Sequence, residues 1–246
     1  MLSAFFNTFI YNPIYNALAL LVGFVPGGDV GVAIILLTLL IKFALFPLSL
    51  KALETQAMMR DIDPELKALR TKYDNNREEL ARKTMALLKE RKVNPFASIF
   101  LILIQLPIIF GLYFVFLSEG TTAGFDPSLL YAFVPNPESA SFLFLGAVSL
   151  TGKSVILALL VGITQFINAR LMQFPAPNGE AGSFSHDMAK SMQLQMKYVF
   201  PVVMAFVAYV ISTAIALYFL VSNLFQLFQE LYLRRKRLHT APAPSV

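Results

Sequence analysis

The chain has 246 residues, of which 57% are hydrophobic and 14% are charged, and its formal net charge at pH 7 is +5. A water-soluble domain of this size has no way to bury so much apolar surface, so the composition excludes that class and indicates a membrane protein. Because the chain contains no cysteine, disulfide bonds, thiolate metal sites and a lipid-modified cysteine are excluded as well.

The first segment, residues 1–28, is apolar but is interrupted by several asparagine and proline residues. It contains no lysine or arginine, so it lacks the basic start of a secretory signal, and we do not expect a cleaved signal peptide. An amphipathic helix lying on the outer face of the membrane, ended by Pro26-Gly27-Gly28, fits this composition. A sixth span is the alternative.

The first predicted span covers residues 29–51 and carries one charge at membrane depth. Between Val30 and Leu50 the only charged residue is Lys42, and a cation at such a depth costs roughly 2.5–3.5 kcal/mol. Apart from residues at their ends, the predicted spans contain no carboxylate that would pair with it. Either the ammonium snorkels to water at the cytoplasmic end, or it awaits an anion supplied from outside the protein.

Residues 52–93 are polar, rich in charges of both signs, and predicted as a cytoplasmic helical hairpin. Asp63-Pro64 is typical of an N-cap followed by the first helical residue. Asn76, with Glu79 three residues later, is typical of a capping box that begins a second helix. A solvated connector and a docking surface for a client or another machine are both consistent with this pattern.

The remaining apolar stretches and their connections complete the predicted layout. We predict a second span over 94–117, with Asn94 as N-cap and Pro95 as first helical residue, followed by an external loop over 118–152. A third span over 153–172 leads into a cytoplasmic loop over 173–193. The last two spans cover 194–209 and 210–232, with a tight turn near Tyr209–Thr213 between them, and a basic tail covers 233–246. The predicted fold class is therefore an all-α membrane protein, a five-span helical bundle with an external interfacial helix and a cytoplasmic helical hairpin.

The distribution of lysine and arginine predicts the orientation. Neither residue occurs in 1–41 or 93–152, whereas both are concentrated in Lys51–Lys92, Arg170–Lys197 and Arg234–Arg237. By the positive-inside rule these three segments are cytoplasmic, so the N-terminus lies outside and the C-terminus in the cytoplasm. Because an arginine-rich transit peptide is absent, a bacterial plasma membrane is favoured as the location.

The predicted spans lack the groups that catalysis or proton-coupled transport requires. Both histidines, His186 and His239, fall in polar segments, and the sequence contains no phosphate-binding loop of the Walker type. Aspartate, glutamate and histidine are missing from the membrane-depth parts of the spans. We therefore expect neither an enzyme nor a proton-coupled carrier, and no metal or cofactor.

Several uncharged polar side chains do fall within the predicted spans. They are Thr38, Gln105, Gln165, Asn168, Ser222 and Asn223. One interpretation is that they form interhelical hydrogen bonds that hold the bundle together. The other is that they line a partly hydrated groove, open to the cytoplasm, in which Lys42 is the charge.

Five motifs carry a resemblance to a known family. They are Gly31–Lys42 followed by Pro47, Asp63-Pro64-Glu65-Leu66, Val93-Asn94-Pro95-Phe96, Leu103–Pro107 and Leu217–Leu224. In these motifs, over about residues 5–235, the chain resembles the YidC/Oxa family of membrane protein insertases. The resemblance implies that Lys42 is the groove cation, usually arginine in bacterial members, and that Thr38 and Phe219 contact the inserting segment. The chain departs from the family at Ser212-Thr213-Ala214, where Pro-Ala-Gly is common.

The resemblance also implies partners. Newly made membrane proteins are the expected clients and membrane lipids the surroundings, with the ribosome and the Sec translocon as further candidates and no role for DNA. As a hypothesis for the mechanism, the groove acts without nucleotide, in agreement with the missing phosphate-binding loop, and the client's apolar segment leaves between the first and last spans. The basic tail residues Arg234, Arg235, Lys236 and Arg237 contact either ribosomal RNA or anionic lipid. An ion or solute channel and a structural assembly factor remain as alternative functions.

Overall fold

The computed structural model describes residues 2–73, 76–94, 97–119, 124–137, 139–171 and 190–240. The described chain is largely helical, in agreement with the predicted class. The segment predicted as an external loop also contains a short antiparallel pair of strands, β1 (Leu143–Phe144) and β2 (Val148–Ser149), which the all-α prediction did not include. The predicted Asn94-Pro95 helix start lies partly outside the described residues.

The N-terminal segment is one long helical element. Helix α1 (Leu2–Phe6) continues through a π-helical turn into α2 (Asn12–Phe24). Side chains such as Tyr15 and Leu18 of α2 are buried in the main core, whereas Phe24 is exposed. At the turn that follows, Gly28 has a positive φ of 64°. A Cβ atom there would lie 1.9 Å from the Ser139 carbonyl oxygen, so this close approach of two backbones requires glycine.

The first predicted span is bent. Helix α3 (Val30–Ala44) begins at Asp29, whose side chain accepts a hydrogen bond from the Val32 N–H. After Leu45 the chain continues as α4 (Phe46–Asp61), inclined by 62° to α3. Pro47 explains the bend, because it lacks an N–H and its ring clashes with the carbonyl four residues earlier. The single span predicted over 29–51 is therefore replaced by two helices that meet at Leu45.

The polar segment ends in a helical hairpin, formed by α5 (Asp63–Lys72) and α6 (Arg77–Glu90). The Asn76 side chain accepts a hydrogen bond from the Glu79 N–H, so the N-cap is confirmed. The reciprocal bond of the predicted capping box is not formed, because the Asn76 N–H donates to the Tyr73 carbonyl and the Glu79 carboxylate pairs with Arg82. The first helix already includes Asp63, one residue earlier than predicted. A small separate core holds the hairpin together and consists of Ile62, Leu66, Leu88 and Val93.

The remaining long helices are α7 (Ala97–Glu119), α8 (Val155–Leu171), α9 (Phe200–Ile211) and α10 (Thr213–Thr240), and a π-helical turn, Gln195–Val199, leads into α9. Between α9 and α10 the backbone is extended at Ser212, within the region where we expected a turn. By length and composition, Lys190–Ile211 and Thr213–Lys236 are each long and apolar enough to cross a membrane, and the bent α3–α4 pair is a third candidate. The apolar helices Leu103–Phe116 and Val155–Leu171 are shorter.

Helix α10 lies at the centre of the bundle. Its first turns, including Ile215 and Tyr218, are almost completely buried, and it packs closely on α3 and α8. Helix α8 packs in turn on α9. Helix α7 packs on α2, α4 and α10 but makes at most marginal contact with α8 and α9. A gap therefore remains between α7 on one side and the α8–α9 pair on the other.

Candidate functional site

A cavity of about 380 Å³ lies in this gap, within the size range of ligand-binding pockets. Its polar lining residues are Lys42, Ser49, Gln56, Gln105, Gln165, Ser222, Asn223, Gln226 and Gln229. Its apolar lining residues are Leu45, Ala52, Leu53, Ile109, Phe200, Met204 and Phe219. Among the described residues, lysine supplies the only charge of this lining, and no carboxylate takes part.

Lys42 is held by neutral partners. Its Nζ atom donates a hydrogen bond to Gln105 Oε1 at 3.2 Å, and Gln105 Nε2 donates in turn to the Tyr218 hydroxyl. Within the described ranges no ion pair joins Lys42 to a carboxylate. Because its hydrogen-bond partner carries no charge, the ammonium remains available to an anion that enters the cavity.

The bend at Leu45 explains why a lysine is tolerated at this place. Lys42 lies in the last turn of α3, where unpaired backbone carbonyls and the negative end of the helix dipole favour a cation. In a straight span this residue would lie about 12 Å of helix from the end predicted at Leu50. The bend ends the helix near Lys42 and opens that end to the cavity.

The structure brings six of the eight predicted groove residues together around the cavity. They are Lys42, Gln105, Gln165, Phe219, Ser222 and Asn223. The other two, Thr38 and Asn168, do not line it. The buried Thr38 hydroxyl donates to the Ile34 carbonyl at 2.7 Å, and Asn168 Nδ2 donates to the Asn223 carbonyl at 3.0 Å. Asn168 fits the alternative interpretation of interhelical hydrogen bonds, whereas the Thr38 hydroxyl bonds within its own helix and fits neither interpretation.

Four polar lining residues were not predicted: Ser49, Gln56, Gln226 and Gln229. On α10 the signal was present, because Ser222, Gln226 and Gln229 are spaced by four and three residues and so share one helix face. On α4 no such signal was present in the sequence, because Ser49 and Gln56 line the cavity only as a result of the bend at Leu45. Gln229 Nε2 donates to Ser49 Oγ and thereby joins α10 to α4.

The basic tail is partly engaged within the protein. Arg234 pairs with Glu230 at 3.1 Å and donates from Nη2 to the Leu171 carbonyl at 2.6 Å, which satisfies a carbonyl at the end of α8. Lys236 pairs with Glu54 of α4 at 3.2 Å. Arg235 is exposed, and the side chain of Arg237 lies outside the described part of the structure. Of the three tail residues whose side chains the structure describes, Arg235 and Lys236 are exposed, and Arg235 takes part in none of the ion pairs found among the described residues.

The predicted exit path between the first and last spans is filled. Ile34 and Leu37 of α3 and Ile215 and Tyr218 of α10 are all buried in the main core, where the two helices pack directly against each other. Helices α7 and α9 make at most marginal contact with each other, and they contribute Ile109 and Met204 to the cavity lining.

Comparison with known proteins decides the family. The sequence model of the family described as 60Kd inner membrane protein matches residues 21–240. The chain belongs to this YidC/Oxa family. The membrane protein insertase YidC of Fusobacterium nucleatum is 32% identical over 231 residues, which cover 93% of this chain and 98% of that protein. The YidC of Clostridium tetani is 30% identical over 217 residues, covering 88% and 87% of the two chains.

Other YidC/Oxa relatives are longer. The membrane protein insertase YidC of an Anaeromyxobacter species is 31% identical over 215 residues, which cover 87% of this chain but 34% of that protein. The resemblance noted from the sequence motifs is therefore confirmed at the level of the family. Family membership and the apolar helices together make the chain a multi-pass membrane protein of the bacterial inner-membrane type.

Proposed function

We propose that this protein is a membrane protein insertase that accepts a polar tail of a newly made membrane protein into the cavity from the cytoplasm. The observation that carries the proposal is Lys42, a cation without an ion-pair partner in the described chain, facing a cavity lined by neutral polar groups. The names of the YidC relatives support the same function. We further propose five spans, with the N-terminus outside and the C-terminus in the cytoplasm.

Lys42 would attract acidic groups of the entering tail. A carboxylate 4 Å from the ammonium gains about 4 kcal/mol at an effective dielectric of 20, before the cost of desolvation. The membrane potential contributes roughly 2.3 kcal/mol for each negative charge that moves outward across 100 mV. These two contributions, together with burial of the client's apolar segment in lipid, would drive insertion without nucleotide hydrolysis.

The client's apolar segment would leave the cavity between α7 and α9. Both helices place large apolar side chains towards the surroundings, with Phe110 of α7 50% exposed and Phe206 of α9 66% exposed. A segment moving past them would exchange protein contacts for lipid contacts of similar polarity, so its transfer needs little work. The tail would then be drawn across behind it.

Substitution of Lys42 tests this function. We expect Lys42→Arg to insert a single-span client with an acidic outer tail at the normal rate in liposomes. Lys42→Gln should lower that rate about tenfold, equivalent to about 1.4 kcal/mol, because the attraction is largely offset by desolvation. Lys42→Glu should be the slowest, since it repels the tail. The readout is the fraction of client protected from protease over time.

A client with an uncharged tail is the matched control and should respond far less to all three substitutions. Equal rates for all three variants on the acidic client would contradict the role of Lys42. The same liposomes address the other functions considered: a channel predicts ionic conductance without client, and a structural assembly factor predicts no change in the rate at which new proteins insert. The outer half of α3 favours insertion over conduction, because Val30, Ala33, Ile34 and Leu37 are buried and apolar.

The cytoplasmic hairpin and the tail would serve delivery. We propose that α5 and α6 receive or guide clients and that the outward-facing Arg235 contacts anionic lipid or ribosomal RNA. Cooperation with the ribosome or with the Sec translocon is part of this proposal. Replacing Arg235 by Ala should weaken binding to anionic vesicles if lipid is the contact, and binding to ribosomes if RNA is.

A further inference from the structure

The cavity lining is rich in primary amides. Five glutamines line it: Gln56 from α4, Gln105 from α7, Gln165 from α8, and Gln226 and Gln229 from α10. A primary amide presents both a hydrogen-bond donor and an acceptor, as the peptide group itself does. Four helices therefore surround the cavity with groups that match a polypeptide main chain.

Several of these polar groups have unused hydrogen-bonding capacity. Neither Gln56 nor Gln165 makes a side-chain hydrogen bond in the part of the chain that the structure describes, and neither is fully exposed. Ser222, only 7% exposed, lies near the Tyr218 hydroxyl, yet its Oγ atom forms no hydrogen bond of normal geometry. Ser222 is buried, and a buried polar group without a partner is unfavourable, so its hydroxyl indicates a partner that arrives from outside. Gln56 and Gln165 are partly buried, and their amide groups are available to the same partner.

An extended peptide offers the complementary pattern. It presents one N–H and one C=O at every residue, about 3.3 Å apart along the strand. Three different helices supply these groups: α4 carries Gln56, α8 carries Gln165 and α10 carries Ser222. One extended strand in the cavity would therefore contact them on several of its sides. Because these groups are uncharged, they do not discriminate among the side chains that the strand carries.

We propose that the glutamine-lined cavity binds the main chain of the client's extended tail, so that the tail is recognised as polypeptide rather than by its sequence. This inference rests on the proposed insertase function and extends it. Lys42 then adds a preference for acidic tails to a binding mode that all tails share. The competing occupant is water alone, which would hydrate the tail without contacting it in any fixed arrangement.

Replacing amides of the tail by esters distinguishes main-chain binding from hydration by water alone. Alternate alanines of an uncharged client tail are replaced by lactic acid during cell-free translation, which removes N–H groups and keeps every side chain. Esters are less polar than amides, so a merely hydrated cavity should accept the ester tail as fast as the amide tail or faster. Main-chain binding predicts the opposite, because the glutamine carbonyls lose their donors.

The readout is the rate of insertion into liposomes containing the full protein, divided by the rate in protein-free liposomes. We expect this rate enhancement to be about threefold or more lower for the ester tail, since one hydrogen bond is equivalent to about a twofold to tenfold change. The double variant Gln56→Leu and Gln165→Leu should insert the amide tail more slowly and should no longer distinguish it from the ester tail. Neither substitution removes a hydrogen bond within the described structure.

Gln195→Leu is the matched control, because Gln195 is exposed and lies outside the cavity lining; it should retain the amide preference. Equal or faster insertion of the ester tail by the unaltered protein would overturn the inference while leaving the insertase function intact. If neither tail is inserted, the proposed function fails and this inference fails with it. The comparison of the two tails on the unaltered protein decides the question even where the double variant does not fold.

Discussion

The α5–α6 hairpin and the cavity differ in how their charged side chains are paired. In the hairpin, Lys67 pairs with Asp63 at 2.9 Å and Arg91 pairs with Glu65 at 2.7 Å, on partly exposed side chains. In the cavity, Lys42 has the neutral Gln105 as its hydrogen-bond partner. Exposed ion pairs of the first kind contribute only about 0–1 kcal/mol each, since water solvates the separated ions almost as well. The unpaired cation costs stability, and that cost is consistent with a functional site.

An ion pair introduced inside the cavity should remove this difference between the cavity and the hairpin. Gln105→Glu places a carboxylate where Lys42 now has an amide partner, and an internal ion pair should compete with the acidic client tail. We expect insertion of an acidic client to fall about tenfold, equivalent to about 1.4 kcal/mol of lost attraction. Protease protection of the client in liposomes measures this rate.

Gln195→Glu provides the control for Gln105→Glu, because it adds the same charge at an exposed site outside the cavity lining. It should leave insertion close to normal. An unchanged rate for Gln105→Glu would mean that Lys42 does not act through its free charge. With the uncharged client, Gln105→Glu and Gln195→Glu should give similar insertion rates.

A substitution in the small hairpin core should destabilise the hairpin without destabilising the helix bundle. Leu66 is 6% exposed in the small hairpin core, and Leu66→Ala should cost about 2–3 kcal/mol, near the lower end for buried leucines because that core is small. Hydrogen exchange of the amides in α5 and α6 should accelerate, while exchange in α10 stays slow, because the two cores do not share residues.

Met85→Ala is the matched control for Leu66→Ala, since Met85 lies on α6 with 58% of its surface exposed. Its exchange pattern should remain normal. Faster exchange in α10 of the Leu66→Ala variant would contradict the independence of the two cores.

The smallest of these expected effects concerns the helix cap. Asn76→Ala removes the side-chain acceptor for the Glu79 N–H and should destabilise α6 by about 1 kcal/mol. Asn76→Asp retains an acceptor and should keep most of the stability. Hydrogen exchange of the first turn of α6 measures both variants, and equal exchange in the two would show that the cap contributes nothing.

The sequence predicted those features that depend on neighbours along the chain. The cap at Asn76, the break near Ser212 and the isolated charge at Lys42 are all determined by residues within a few positions. The features that were not predicted depend on packing between distant elements. The bend at Leu45 was missed although Pro47 was visible, because a proline near a helix end permits either continuation with a kink or a change of direction.

The sequence by itself determined the membrane class, the family motifs and the identity of the one deeply placed cation, because composition, hydropathy and motif spacing are properties of the chain alone. Only the tertiary structure decided which polar residues face the cavity. Thr38 and Asn168 have the same polar character as Gln165 and Gln56, yet the first pair bonds within the helix packing and the second lines the cavity. The physical reason is that a helical residue's surroundings are set by the helices that pack beside it, and here by the gap that α7 leaves.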